Sequence, residues 1–342
     1  MQATMIGLDI AKSVFHVHGE EPNGKVVMQK RLSRGQLEAY FKKLPASVVG
    51  IEACGTAHDW GRRLQALGHE VRLIPAGYVK PFVQRNKTDA RDAAAICVAM
   101  QRPNMRCVPI KSVAQQSARA LERARDLLVK QRTQLMNCVR SLLAEMGVIA
   151  AQGTCGFTVL TGRVKDDADP AIPASLRPVL RPLLQQIDNL KDSVQGLEDK
   201  IMAAARSHPV MQRLCSIPGI GGITAHAIVS AVGDGSQFRS ARDFAAWCGL
   251  TPREHSSGGK QRLEGISRQG DNRLRKLLAL GASTLMRHAR AHGERATAWQ
   301  RGILARRPVK VAVLAQAARN ARIAWALLRS GETYRRPVSA TA

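Results

Sequence analysis

The first hundred residues alternate short apolar runs with helix-like stretches, and two of the runs end at an acid. Met5-Ile6-Gly7-Leu8-Asp9-Ile10 and Val48-Val49-Gly50-Ile51-Glu52 are each short enough, and β-branched enough, to read as strands. Residues 14–18 alternate in the period of a strand. A Pro22-Asn23-Gly24 turn follows, and residues 25–28 complete a three-strand meander. A helix over 35–43, a second over 58–67 stopped by Gly68, and a strand over 71–74 come next. The resulting order, βββ-α-β-α-β-α, predicts an α/β domain with a mixed sheet. Sites in such sheets collect at the carboxyl ends of strands, which is where Asp9 and Glu52 stand.

A third acidic stretch follows the last strand. In Asn86-Lys87-Thr88-Asp89-Ala90-Arg91-Asp92, Thr88 is an N-cap and Ala93-Ala94-Ala95-Ile96 carries the helix on. Asp89 and Asp92 stand three apart and share a helix face. With Arg85, Lys87 and Arg91 around them, they suit a hard divalent cation that also touches a phosphate. Taken alone, the same residues make an ordinary solvated helix start, with acids at the positive end of the dipole. The strand-end acids change the weighting, because four carboxylates can converge at one edge of the sheet.

Charge narrows the partner. Of the 342 residues, 52 are Lys or Arg and 26 are Asp or Glu, a net +26. Residues 1–105 hold 15 basic and 9 acidic residues, so most of the excess lies beyond them. Such an excess implies a polyanion, most plausibly nucleic acid, with an anionic membrane the weaker alternative. Aromatics are 4% of the chain, so phosphate contacts rather than base stacking should dominate, with a steep salt dependence. Apolar residues are 45%, enough for a sizeable core, and no run of about 18 apolar residues predicts a membrane span. The first residues lack the basic and apolar regions of a secretion signal. Seven scattered cysteines without a CxxC pair indicate neither zinc nor a disulfide framework, and fit a reducing cytoplasm.

Residues 112–147 read as one long helix. Leu121, Leu128, Leu135 and Leu142 recur every seven residues, although Ala124, Gln131 and Cys138 weaken the seam between them. After a Gly-rich stretch (153–162) and a Pro-punctuated one (170–182), Leu183, Ile187, Leu190, Val194, Leu197 and Ile201 make a second seam. The two can form an antiparallel hairpin within the chain, join protomers, or do both.

Ile217-Pro218-Gly219-Ile220-Gly221, between two apolar segments, resembles a helix-hairpin-helix, whose glycines let backbone N–H groups meet a phosphate; it also reads as a plain tight turn. A short helix over 238–249 leads to Gly249-Leu250-Thr251-Pro252. Next comes the polar loop Arg253-Glu254-His255-Ser256-Ser257-Gly258-Gly259-Lys260, followed by Gly265-Ile266-Ser267-Arg268. Read bare, Ser-Ser-Gly-Gly is a flexible linker. Helices over 274–288 and 309–328 pack the region, and 335–342 is a loose tail.

Together these blocks resemble the DEDD transposases of bacterial insertion-sequence family 110, closest to its 1111 branch. Gly-Leu-Asp-Ile-Ala-Lys-Ser, Ile-Glu-Ala-Cys-Gly and Asn-Lys-Thr-Asp-Ala-Arg-Asp-Ala match the three acidic blocks, and 217–275 resembles the C-terminal transposase domain. Gly-x-Asp also opens actin-like sugar kinases, but the glycine-rich adenosine loop of that class is not found. The resemblance implies a RuvC-like α/β domain of the ribonuclease H superfamily over 1–105. It further implies a coiled-coil arm with linker over 106–207, a mainly α serine-bearing domain over 208–330, and a tail over 331–342. Asp9, Glu52, Asp89 and Asp92 would hold Mg²⁺, with Mn²⁺ as the substitute, and Ser257 would be the nucleophile, with Ser256 its rival. Implied partners are donor and target DNA, a noncoding bridge RNA encoded by the element, and further copies of the chain: a dimer, or a tetramer in the synaptic complex. In that family the acidic and serine sites meet across protomers. The implied place is the bacterial cytoplasm, at the nucleoid. Two other functions are open on the residues alone: a RuvC-like nuclease using water, and a non-catalytic nucleic-acid-binding protein.

Overall fold

The computed structural model describes residues 4–83 and 88–335. Asn86, Lys87 and Arg85 of the acidic stretch, and residues 336–342 of the expected tail, lie outside them. The chain divides into two compact units, Met1–Ala114 and Gln115–Ala342.

The first unit is the expected α/β domain. Its strands are β1 (Met5–Ile10), β2 (Val14–Glu20), β3 (Val26–Ser33), β4 (Val48–Glu52) and β5 (Glu70–Ile74). Its helices are α1 (Arg34–Phe41), α2 (Ala57–Ala66), the short α3 (Ala76–Val79) and α4 (Asp89–Met100). The sheet order is β3-β2-β1-β4-β5. The three-strand meander is antiparallel, and β1–β4 and β4–β5 are parallel, so the sheet is mixed. Strand β3 runs five residues beyond the expected 25–28; Gln29, Lys30 and Arg31 pair as an edge strand but carry no apolar signal.

Period-two alternation decides which face of the sheet meets which helix. Ile6, Leu8, Val49 and Ile51 point to one side and are buried with Leu37, Phe41, Trp60 and Leu64 of α1 and α2. Met5, Gly7 and Asp9, with Val48, Gly50 and Glu52, belong to the other face. There Met5 and Val48 pack against the Ile96–Met100 side of α4.

The second unit is mostly helical. It contains α5 (Val113–Ala144, whose first residues precede the boundary), α6 (Thr154–Lys165), α7 (Arg177–Ser207), α8 (Pro209–Cys215), α9 (Gly222–Val232), α10 (Ala241–Trp247), β6 (Pro252–Glu254), β7 (Leu263–Ile266), α11 (Asn272–Ala291), α12 (Ala298–Arg306) and α13 (Val309–Ser330). Helices α5 and α7 run antiparallel: Arg125 donates to Glu198 at 2.9 Å, and Val139 and Leu143 share a buried cluster with Leu180, Leu184 and Ile187. The seam of α7 is largely buried, whereas Leu121, Leu128, Leu135 and Leu142 of α5 are half-buried. The Gly-rich stretch 153–162 lies in helix α6 and its N-cap. Phe157, Leu160 and Val164 recur at helical spacing and fill the same cluster, and that apolar period outweighs the glycines. The remaining core joins α8, α9, α10, α11 and α13, with Phe244, Leu278, Ala282, Ala317 and Ala321 fully enclosed.

Candidate active site

Two glycines seat the acidic helix. Gly7 and Gly50 are partners in the parallel pair β1–β4. A Cβ on Gly7 would lie 2.0 Å from the Ala93 carbonyl oxygen, and one on Gly50 would lie 2.7 Å from Met100 Sδ. Helix α4 therefore rests in a trough that only hydrogen at these positions leaves open. It runs antiparallel to β1: Cys97 Sγ lies 3.6 Å from the Met5 carbonyl, and Gln101 donates to Glu20, the partner of Met5, at 2.8 Å. Its N-terminus consequently meets the carboxyl ends of β1 and β4. Thr88 caps it as expected, accepting from Arg91 N at 3.4 Å.

Asp9 and Glu52 stand two residues beyond the two glycines, on the same face of the sheet. Burial and then the nearby Asp89, Asp92 and Glu52 push the Asp9 carboxyl up from its usual 3.8 to about 6, with His16 opposing. The other three sequence-expected acids thus act on Asp9. They do not yet close on a common point: among the described residues, no three His, Cys, Asp or Glu side chains are grouped as a metal would need. Asp89 is 65% exposed and turns toward His16, whose Nε2 lies 3.7 Å from its Oδ2. As donors the four are all hard oxygens. Such donors around a half-buried carboxyl are the type that a Mg²⁺-type ion would take.

His16 is the residue that local sequence reasoning passes over. It lies opposite Asp9 in the β1–β2 register and so joins the acidic face. Spacing along the chain gives no sign of it; only the strand pairing does. One row further on, His18 and Glu20 form a buried pair at 3.0 Å, with Glu20 also held by Gln101.

The loop carrying the serines is a built hairpin rather than a flexible linker. Strands β6 and β7 pair antiparallel, and the ladder continues through His255 N to the Arg262 carbonyl at 3.0 Å and Lys260 N to the Ser257 carbonyl at 3.1 Å. Gly258 and Gly259 sit at the tip with φ of 57° and 74°, the left-handed pair that a two-residue turn of the primed type demands. The two serines are not equivalent. Ser256 Oγ donates to Glu254 at 2.6 Å and accepts from Arg262 N at 3.2 Å. Among the described residues no group hydrogen-bonds the exposed Ser257 hydroxyl. Arg253, Lys260 and Arg262 of the same hairpin are exposed as well.

The base of the hairpin is clamped. Gly249 and Gly270 approach the opposing backbone so closely that a Cβ would fall 2.2 Å from the Gln269 oxygen and 1.7 Å from the Trp247 oxygen. Arg275 donates to the Cys248 and Gln269 carbonyls at 3.2 and 2.9 Å. Arg268 is held at φ 56°, a conformation that non-glycine residues take only under constraint. Behind it, α11 is tied to α5 by buried charge. Glu122 accepts from Arg273, from Ser230 at 2.8 Å, and pairs with His226 Nδ1 at 2.6 Å. Arg273 also donates to Asp126 at 2.6 Å, and Arg119 to Asp271, the N-cap of α11, at 2.9 Å. Burial alone would raise the Asp126 carboxyl; Arg273 and Arg125 outweigh it and hold it below the usual range.

The Ile-Pro-Gly-Ile-Gly segment forms the tight turn between α8 and α9. Ile217 and Ile220 are buried, the Gly219 carbonyl packs on Gly281 of α11, and Asn320 donates to the Pro218 carbonyl at 3.0 Å.

Comparison with known proteins covers almost the whole chain. Residues 6–148 match the DEDD transposase family of IS110 elements, and residues 211–297 match the family described as "Transposase IS116/IS110/IS902 family". The chain is 45% identical over 338 residues to the probable family 20 transposase of Pseudomonas aeruginosa, covering 98% of this chain and 100% of the relative. It is 39% identical to the transposase for insertion sequence element IS1111A of Coxiella burnetii (97% of this chain, 91% of the relative). It is 37% identical to the transposase for insertion sequence element IS1328 of Yersinia enterocolitica (97% and 98%).

Proposed function

The chain belongs to the IS110 family of DNA transposases, and on that premise we propose that it recombines DNA through a serine–DNA ester, with an acidic metal site and a guide RNA. The observation that carries this reading is the electrostatic meeting of Asp9 with Glu52, Asp89 and Asp92.

In this reading Asp9, Glu52, Asp89 and Asp92 hold Mg²⁺ or Mn²⁺, since oxygen donors without thiolates suit hard cations. Bound there, the ion would neutralise charge on the scissile phosphate and on the attacking and leaving oxygens. The protein supplies the positioning. The Gly7–Gly50 trough brings the α4 acids to the strand ends, and His16 holds Asp89 on one side.

Ser257 is the nucleophile of this reading. Its Oγ forms a bond to phosphorus while one P–O ester bond of the DNA breaks, and the severed strand leaves with a free hydroxyl. The serine proton passes to solvent or a base, because a hydroxyl is a weak nucleophile at its own pKa. A second strand end then attacks the protein–DNA ester and regenerates the serine. The unbonded Ser257 hydroxyl, next to a Ser256 already engaged by Glu254 and Arg262, supports this choice between the two.

Sequence would be read by base pairing with a noncoding RNA of the element, and the large basic excess beyond residue 105 supports a polyanionic partner such as RNA. The half-buried leucines of α5 support assembly into at least a dimer, through a coiled-coil contact of the arm.

The test is a denaturing gel of the protein with its RNA and end-labelled donor DNA. A shifted adduct that maps by peptide analysis to Ser257, needs Mg²⁺ and disappears in Asp9→Asn is the expected result. Recombination by Ser257→Ala, or an adduct on Ser256, overturns the assignment. Sequencing the RNA that co-purifies from cells carrying the element tests the guide.

A further inference from the structure

Asp9, His16 and Arg31 form one row across the sheet. Asp9 lies opposite His16 in β1–β2, and His16 lies opposite Arg31 in β2–β3. Register partners share a face, and neighbouring strands are spaced by about 4.8 Å, so Arg31 stands about 10 Å from Asp9 along the acidic face. Beside this row is a cleft of about 210 Å³, lined by His16, His18, Gln29, Lys30, Arg31 and Ala90, the second residue of α4. Among the described residues no carboxylate lines it.

Arg31 differs from other arginines of this unit. Arg34 donates to the Ala11 and Lys12 carbonyls, Arg63 pairs with Asp59 and Glu38, and Arg72 with Glu70. Among the described residues Arg31 has no such partner, and it is exposed. An unpaired guanidinium and a lysine line a cleft whose His16 lies opposite Asp9 and 3.7 Å from Asp89.

The geometry points to a phosphodiester seat on the outer strands: Arg31, above the His16 floor of the cleft, takes the phosphate that neighbours the scissile one on the DNA strand lying across Asp9. The guanidinium matches a phosphate by charge and by its fork of donors. His16, 3.7 Å from Asp89, lines the cleft between that acid and Arg31. The seat explains how a strand can be drawn over a cluster of negative charge: the repulsion of its backbone by the acids is offset one phosphate away.

This inference rests on the proposed acidic site, and the experiment separates the two. Full-length protein with its guide RNA is held in EDTA, and binding of a fluorescent strand from the element's terminus is measured over a range of salt. Arg31→Gln is expected to weaken binding roughly tenfold and to lower the slope of log K against log salt by about one. Arg31→Lys is expected to keep the slope. A series of strands, each with one neutral methylphosphonate, should reveal a position beside the cut that costs the wild type roughly tenfold and costs Arg31→Gln nothing further. A wild-type slope and an unchanged methylphosphonate profile in Arg31→Gln make Arg31 a solvated edge charge and overturn the seat. If Arg31→Gln fails to fold by circular dichroism, a wild-type scan with no sensitive flanking position overturns it equally. Cleavage by Asp9→Asn in Mg²⁺ overturns the acidic site itself, whereas an inert Asp9→Asn beside an indifferent Arg31→Gln overturns the seat alone.

Discussion

Gly7 lies opposite Gly50 in the parallel pair of β1 and β4, and a Cβ on either would strike α4. The pair sets how deep the acidic helix sits, and so whether Asp89 and Asp92 reach the field of Asp9. Gly7→Ala should cost about 3 kcal/mol or more, since the clash is with backbone that cannot move aside. Gly35→Ala, in α1 with open space around it, should be neutral or stabilise by about 0.5–1 kcal/mol. Urea melts of the two variants check this, and a Gly7→Ala protein as stable as the wild type would refute the trough.

Asp9 makes stability depend on pH in a definite sense. Its folded value of about 6 lies above the usual 3.8, so the folded chain binds this proton more tightly than the unfolded chain. Its contribution is therefore most favourable below about pH 4 and is lost as pH rises through 6. Asp9→Asn should raise the stability of the metal-free protein at pH 7 by about 1–2 kcal/mol, a figure reduced for the part of the carboxyl that water screens. It should flatten the melting temperature between pH 4 and 7. Added Mg²⁺ should stabilise the wild type and leave Asp9→Asn nearly unchanged.

The hairpin tip makes its own demand. Gly258 and Gly259 both lie in the left-handed region with no neighbour within 4 Å of a Cβ, so the cost of substitution is conformational, not steric. Gly258→Asn should retain most activity, because Asn tolerates this region, whereas Gly258→Val should cost about 1–2 kcal/mol in the turn and lose adduct formation. Adduct yield on a denaturing gel distinguishes them. Ser256→Ala removes two hydrogen bonds that stiffen the hairpin and should reduce the rate by less than about tenfold.

Glu122 and Arg273 are the buried charges whose separation should hurt most. Arg273→Ala leaves Glu122, 1% exposed, without its cation and should cost about 3–5 kcal/mol. Replacing both, as Glu122→Gln with Arg273→Met, should recover much of that loss. A double-mutant cycle in urea measures the difference, and additive losses would show the pair to be uncoupled.

Much of the first unit was legible because its strands are apolar runs and its acids end them. Asp9 and Glu52 could be picked out for that reason, and Asp89 and Asp92 because they stand three apart at a capped helix start. His16 and Arg31 could not, because their place beside Asp9 comes from a register fixed by the whole meander. The distinction between Ser256 and Ser257 was hidden too: it depends on Glu254, two residues back on the same arm, and on Arg262 N, which meets Ser256 across the turn that the two glycines close. The stretch 153–162 was read only as rich in glycine, while Phe157, Leu160 and Val164, three and four apart, mark the helix that forms.

Helix α5 has 32 residues and so extends about 48 Å. Glu122 and Asp126, near its beginning, grip Arg273 at the start of the helix whose other bonds clamp the serine hairpin. In mechanical terms α5 is a lever with its fulcrum at those buried charges and a long arm beyond them, braced by α6 and α7. A turn of a few degrees about that fulcrum is a displacement of ångströms at the far end of the arm. Whatever grips that end, whether a nucleic acid or a second copy of the chain, gains leverage on where the hairpin points.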